Sequence, residues 1–368
     1  MIHRRNWLKS AVAFGFAGAD TRLSLGQEVT QKEVPWLEEI QTPPERLPAD
    51  APMLYPLCVA ENGSPLLRQE DWEKIAGKKK RWWLNFLGVD LMERRSPPKL
   101  EVLGEDREVE GVVRQWVRYK VEPDIKTEAY LCKPAGKVKN APALVAFHST
   151  VDHSILQPAG LKGEPEKAFG VSFAKRGYVV LCPRNFLWPT NTRISAQAEA
   201  EQFMKRQPTT KGMGKMLLDG LVAVDLLASL PEVDASRIGA VGHSLGAKEV
   251  LYLAAFDPRI KASVSSEGGI GTAFSNWHAD WYLGKSIQEK DFRREHHELL
   301  ALVAPRAFLL IGGESADGDR GWPFIAEAKR IYELYGKPAR IGQFNHRKGH
   351  AIPPEAEKRI EEWFAAYL

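Results

Sequence analysis

Apolar residues along the chain follow two regimes, and the border lies near Ala141. Before it, "LRQEDWEKIAGKKKRWWLNFLGVDL" (67–91) spaces Trp72, Ile75, Trp83, Phe86 and Leu87 at helical intervals, which predicts an amphipathic helix. "KLEVLGEDREVEG", "VVRQWVRYKVEP" and "KTEAYLCKP" then alternate with a partial period of two, with turn residues between them, and predict antiparallel strands. After it, short dense apolar runs end in polar residues or glycine: "ALVAFHS" (143–149), "YVVLCP" (178–183), "RIGAVGHS" (237–244), "KASVSSEGG" (261–269) and "RAFLLIGGE" (306–314). Continuous apolar strands are buried on both faces, as in a parallel sheet. Helical patterns separate them, among them "GMGKMLLDGLVAVDLLASLP" and "LGAKEVLYLAAF", and "PPEAEKRIEEWFAAYL" closes the chain as a helix opened by prolines.

Strand and helix alternating over short connections predict an α/β fold: a mostly parallel central sheet with helices on both faces, preceded by antiparallel strands and a helical arm. Right-handed crossovers bring the C-terminal ends of the parallel strands to one edge, where ligands bind. The organisation expected is an N-terminal segment over 1–26, an arm and helix over 27–95, and the main domain over 96–368. The stretch from Leu187 to Gly214, rich in loop residues, is expected to form a lid or pocket wall.

Composition narrows the function. Hydrophobic residues make up 44% and charged residues 27%, ordinary for a globular protein, and the net charge of +4 is spread through mixed-sign sequence. Short basic runs such as "KKKR" (78–81) read as solvated surface, so no nucleic-acid partner is expected. No run of eighteen apolar residues occurs, so no stable membrane association of the mature protein is expected. Cys58, Cys132 and Cys182 lack metal-type spacing and read as buried small residues. Near the N-terminus, Arg4-Arg5 precedes a modest apolar run that ends in Ala17-Gly18-Ala19. This pattern resembles a twin-arginine export signal, which implies a periplasmic or secreted protein.

The chemistry centres on "RIGAVGHSLGAKEVLYLAAF" (237–256), where Ser244 stands between two glycines at a strand-to-helix turn. Glycines there let the chain fold sharply enough to present the hydroxyl, and the following helix aims backbone N–H groups at developing negative charge. A serine hydroxyl needs a base, and "ARIGQFNHRKGHAIPPE" offers His346 and His350. The base in turn needs an acid. Glu314, Asp317 and Asp319 follow one strand, and Glu267 ends "SVSSE" on another.

With "GYVVLCP", "LLALVAPRAFLLIGGESADGD" and "RKGHAIPPEAEKRIEEWF", this block resembles the α/β-hydrolase superfamily, specifically its dienelactone-hydrolase-like and acetylxylan-esterase-like members, over residues 65–368. The resemblance implies a metal-independent carboxylic-ester hydrolase without a cofactor, acting on a small-molecule or carbohydrate ester. It implies Ser244 as nucleophile, His350 as base, Asp317 as acid, and an oxyanion hole from the amides of Leu245 and Thr150, with Ser149 as the second choice for the latter. The segment is also similar to glucuronoyl esterases, which place the acid at Glu267 and use a lysine matching Lys248 on the sugar. Those enzymes carry arginine directly after the serine, where Leu245 stands here. Substrate contacts are expected from Lys248, Trp188 and Trp277, because aromatic rings stack on sugar faces. A prolyl-oligopeptidase-like peptidase and a non-catalytic binding relative are the competing readings.

Overall fold

A computed structural model describes residues 33–60, 62–90, 97–105, 108–189 and 195–368; the export signal expected over 1–26 lies outside them. Residues 32–368 form one compact unit. The amphipathic stretch becomes α1 (Gln69–Leu87), which stops at Gly88 in the left-handed region (φ 67°). A Cβ there would lie 1.9 Å from the Thr209 carbonyl oxygen, so only glycine fits.

The antiparallel strands are β1 (Glu101–Glu105), β2 (Val112–Glu122) and β3 (Ile125–Pro134). Then come β4 (Ala141–Phe147), α2 (Phe169–Ala174) and β5 (Val179–Pro183). They are followed by α3 (Ala196–Arg206), α4 (Gly212–Ser229) and β6 (Val233–His243). Next are α5 (Leu245–Phe256), β7 (Ile260–Ser266) and α6 (His297–Val303). The chain ends with β8 (Ala307–Gly312), α7 (Trp322–Leu334), β9 (Ile341–Asn345) and α8 (Pro354–Tyr367).

One nine-stranded sheet has the order β1-β2-β3-β5-β4-β6-β7-β8-β9. Pairing is antiparallel from β1 to β5 and parallel from β5 through β9. Neighbouring residues of each central strand face opposite cores. Val145, Leu181, Ala240 and Leu310 pack with α4 and α5, whereas Leu144, Val180, Val241 and Leu309 pack with α2 and α8. This two-sided burial is why those strands read as unbroken apolar runs.

The stretch expected to form a lid or pocket wall is not all loop. Residues 196–206 are helical, since Ser195 Oγ caps the Ala198 amide (3.2 Å) and Ala200 and Phe203 turn inward. At the far edge, the N-terminal arm covers β9. Ile40 lies against Gly342, where a Cβ would meet its Cγ1 at 2.4 Å, and Gln41 Nε2 donates to the Ile341 carbonyl (2.9 Å). An otherwise open strand edge is thereby capped. Among the described residues no helix is long and apolar enough to cross a membrane.

Candidate active site

Ser244 follows β6 at φ 59° and ψ −116°, a backbone state that residues with a Cβ seldom adopt. Its amide donates to the Ser266 carbonyl (2.8 Å), and its carbonyl accepts from Ala247 (3.2 Å). The turn needs both flanking glycines. A Cβ on Gly242 would lie 2.3 Å from the Gly246 carbonyl carbon, and one on Gly246 would lie 2.6 Å from the Phe147 carbonyl oxygen. The start of α5 is thus pressed against the ends of β4 and β6.

Glu267 directly follows β7, the neighbour of β6, and is also at positive φ (55°). Its side chain is fully buried, and Oε2 lies 3.3 Å from His350 Nδ1. Three backbone amides crowd the same carboxylate. Gly313 donates to Oε1, while Ala316 (2.6 Å) and Asp317 (3.4 Å) donate to Oε2. His350 projects from the loop between β9 and α8 and is 42% exposed. That loop is tied down where the Gly349 amide reaches the Gly313 carbonyl (2.7 Å). The His350 ring meets His243, the residue before Ser244, edge-on with centroids 4.5 Å apart.

Asp317, the acid expected behind His350, has other partners. Asp317 turns away from the histidine: its two oxygens accept from the Gly269 (2.8 Å) and Ile270 (2.6 Å) amides. Burial pushes its carboxyl up to about 6 despite those bonds. Lys248 and Trp277, expected to touch substrate, are likewise buried. The Lys248 ammonium donates to the Gly268 carbonyl and sits 4.1 Å from the centre of the Trp277 ring, while Trp277 Nε1 donates to the Gly269 carbonyl (2.7 Å). Burial pulls the Lys248 ammonium down to about 7, opposed in part by Asp317. Three side chains singled out for chemistry therefore brace one loop, 268–270, immediately beyond Glu267.

Trp188 is half-buried and meets His148 edge-on. His346 is buried, with Nδ1 accepting from the Lys348 amide (3.1 Å). In the loop after β4, the Ser149 amide donates to Gln157 Oε1 (2.9 Å), which leaves Thr150, on the exposed rim, as the next amide along. Ser149 Oγ lies 3.3 Å from His243 Nδ1. Burial above all, and then the nearby His350, push His243 well below the usual imidazole range. Neither the Gln157 side chain nor the ring of amides around Glu267 leaves a mark in the sequence, because both arise from how distant loops fold back. Among the described residues no group of three or more His, Cys, Asp or Glu side chains could hold a metal ion.

The chain has relatives of known family and fold. The dienelactone hydrolase family profile matches residues 127–284. "Putative hydrolase YtaP" of Bacillus subtilis (strain 168) is 28% identical over 252 residues, 65% of this chain and 81% of that protein. A glucuronoyl esterase from Solibacter usitatus superposes with a TM-score of 0.64 at 17% identity, covering 87% of this chain and 98% of that one. A "putative acetyl xylan esterase" from Bacteroides fragilis NCTC 9343 superposes with a TM-score of 0.61 at 14% identity, covering 78% of each chain. With a serine at the sharp turn after β6 and the dienelactone hydrolase profile spanning that turn, the chain has an α/β-hydrolase fold and is similar, over residues 127–284, to the dienelactone hydrolase family.

Proposed function

We propose that the protein hydrolyses a carboxylic ester of a carbohydrate through an acyl-enzyme, with Ser244 as nucleophile, His350 as base and Glu267 as acid. The contact between His350 Nδ1 and the buried Glu267 carboxylate carries this reading. With Nδ1 held by the carboxylate, Nε2 is the nitrogen left to take the Ser244 proton and return it to the departing alkoxide. Attack on the acyl carbon forms a tetrahedral oxyanion, to which the Leu245 and Thr150 amides donate. Its collapse expels the alcohol, and water then releases the acid by the same steps in reverse order. The relatives named as carbohydrate esterases support a sugar in the substrate, and the Arg4-Arg5 pattern supports export.

A glucuronic-acid ester is the second reading, since glucuronoyl-esterase resemblance extends to the position of Glu267. Against it stand Leu245 in place of arginine and a Lys248 ammonium spent on the Gly268 carbonyl.

The test compares Glu267→Gln with Asp317→Asn on p-nitrophenyl acetate. An amide in place of the triad acid selects the wrong histidine tautomer, and kcat should fall by about 10⁴-fold in Glu267→Gln. Asp317→Asn should chiefly lose stability, about 1–3 kcal/mol for a backbone amide left without its acceptor. The reverse ranking would return the acid to Asp317.

A further inference from the structure

A cleft of about 230 Å³ opens beside the loop that follows β4, and its walls include Trp116, Tyr130, Asp152, His153 and Arg184. Trp116 and Tyr130 stand directly opposite each other on β2 and β3, on one face of the sheet. Trp116 is 37% exposed, a large apolar ring left partly in water. Its edge is fixed, because Nε1 donates to Glu128 Oε2 (3.2 Å), and the same oxygen accepts from Arg184 Nη2 (3.2 Å). A pinned indole can receive a flat apolar surface with little loss of side-chain freedom.

The cleft is joined to the candidate active site by a run of polar contacts. Arg184 Nη1 reaches Ser154 Oγ (3.4 Å), which contacts His148 Nε2 (3.3 Å). His148 Nδ1 contacts the Ser149 carbonyl (2.7 Å), and Ser149 Oγ contacts His243, against which His350 packs. The two sites therefore share one rim, separated by the loop that carries Thr150.

We infer that Trp116 and Tyr130, with Asp152, His153 and Arg184 around them, form a subsite for a pyranose ring of the substrate's carbohydrate. The C–H face of such a ring is apolar and matches an aromatic platform, while its hydroxyls seek the charged and imidazole groups at the cleft's margin. A volume near 230 Å³ lies below the roughly 300–1,000 Å³ of drug-sized sites and suits one ring rather than an extended ligand. This inference rests on the esterase reading for its purpose, although the binding itself can be measured without turnover.

Calorimetry with unesterified xylotetraose reads the cleft alone, and p-nitrophenyl acetate hydrolysis reads the Ser244 site alone. Trp116→Ala should weaken xylotetraose binding about tenfold while kcat/KM for p-nitrophenyl acetate stays unchanged. Undiminished binding in Trp116→Ala, or no binding by wild-type protein that turns over p-nitrophenyl acetate, would overturn the subsite. If Trp116→Ala does not fold, the double variant Asp152→Ala/His153→Ala tests the opposite wall, and unchanged binding there overturns it equally. Xylotetraose binding that depends on Trp116 in a protein inert towards p-nitrophenyl acetate would uphold the cleft and remove the esterase reading.

Discussion

Ser244 and Glu267 both sit at positive φ, 59° and 55°, at the ends of adjacent strands. Each such residue costs about 1–3 kcal/mol and persists only where its surroundings over-determine it. For Glu267 those surroundings are unusually explicit: Lys248, Trp277 and Asp317 hold the next three residues by their backbone groups. Charge is the cost of this brace. Buried Lys248 titrates near 7 when folded, against 10.5 as a free side chain. Between these values the unfolded chain binds more protons, so stability rises with pH across that window and is lowest below it. Lys248→Met should flatten this rise. Urea unfolding at about pH 6 and about pH 9 should show wild type gaining on the variant at the higher pH, and parallel behaviour of the two would exclude a lowered folded-state pKa for Lys248.

At the level of elements, α5 is seated by the glycines rather than by side-chain packing alone. Gly246 touches the Phe147 carbonyl at the end of β4, so Gly246→Ala must push α5 away from β4, and with it the Leu245 amide. If the Leu245 amide is the oxyanion donor proposed above, activity on p-nitrophenyl acetate should then drop by about 10²-fold or more, the cost of misplacing one such donor. Circular dichroism should remain near native, because the collision is confined to one helix start. Full activity in Gly246→Ala would mean that the turn relaxes freely. The elements were largely legible in advance: two-sided burial wrote β4 to β8 as apolar runs, and "GHSLG" marked the turn. What stayed hidden was direction. Asp317 and Glu267 both follow strand ends in the sequence, and only the left-handed backbone at Glu267 and the fold-back of residues 313–317 decide which carboxylate meets His350. Likewise, "AQAEAEQFMKR" has ordinary helix formers, but the surrounding Pro, Thr and Gly made the whole of 187–214 read as loop.

Across the whole molecule, the sheet joins an antiparallel half to a parallel half. Its parallel half carries Ser244 and Glu267, and its antiparallel half supplies Trp116 and Tyr130 on a hairpin that reaches the same rim. The parallel half is closed at β9 by the arm around Ile40 and Gln41, and α1 is tied in through Trp83 Nε1, which donates to the buried Glu298 carboxylate (2.8 Å). Such closure leaves one member of the proposed catalytic set outside the sheet itself. His350 belongs to the connection between β9 and α8, while its two partners are fixed to β6 and β7. Small openings of a surface connection need far less energy than melting a sheet buried on both sides. Gentle heating should therefore silence the protein while its far-ultraviolet spectrum is still intact, and cooling should restore it at once. An activity midpoint coincident with the structural midpoint would show instead that the histidine is as firmly anchored as the strands.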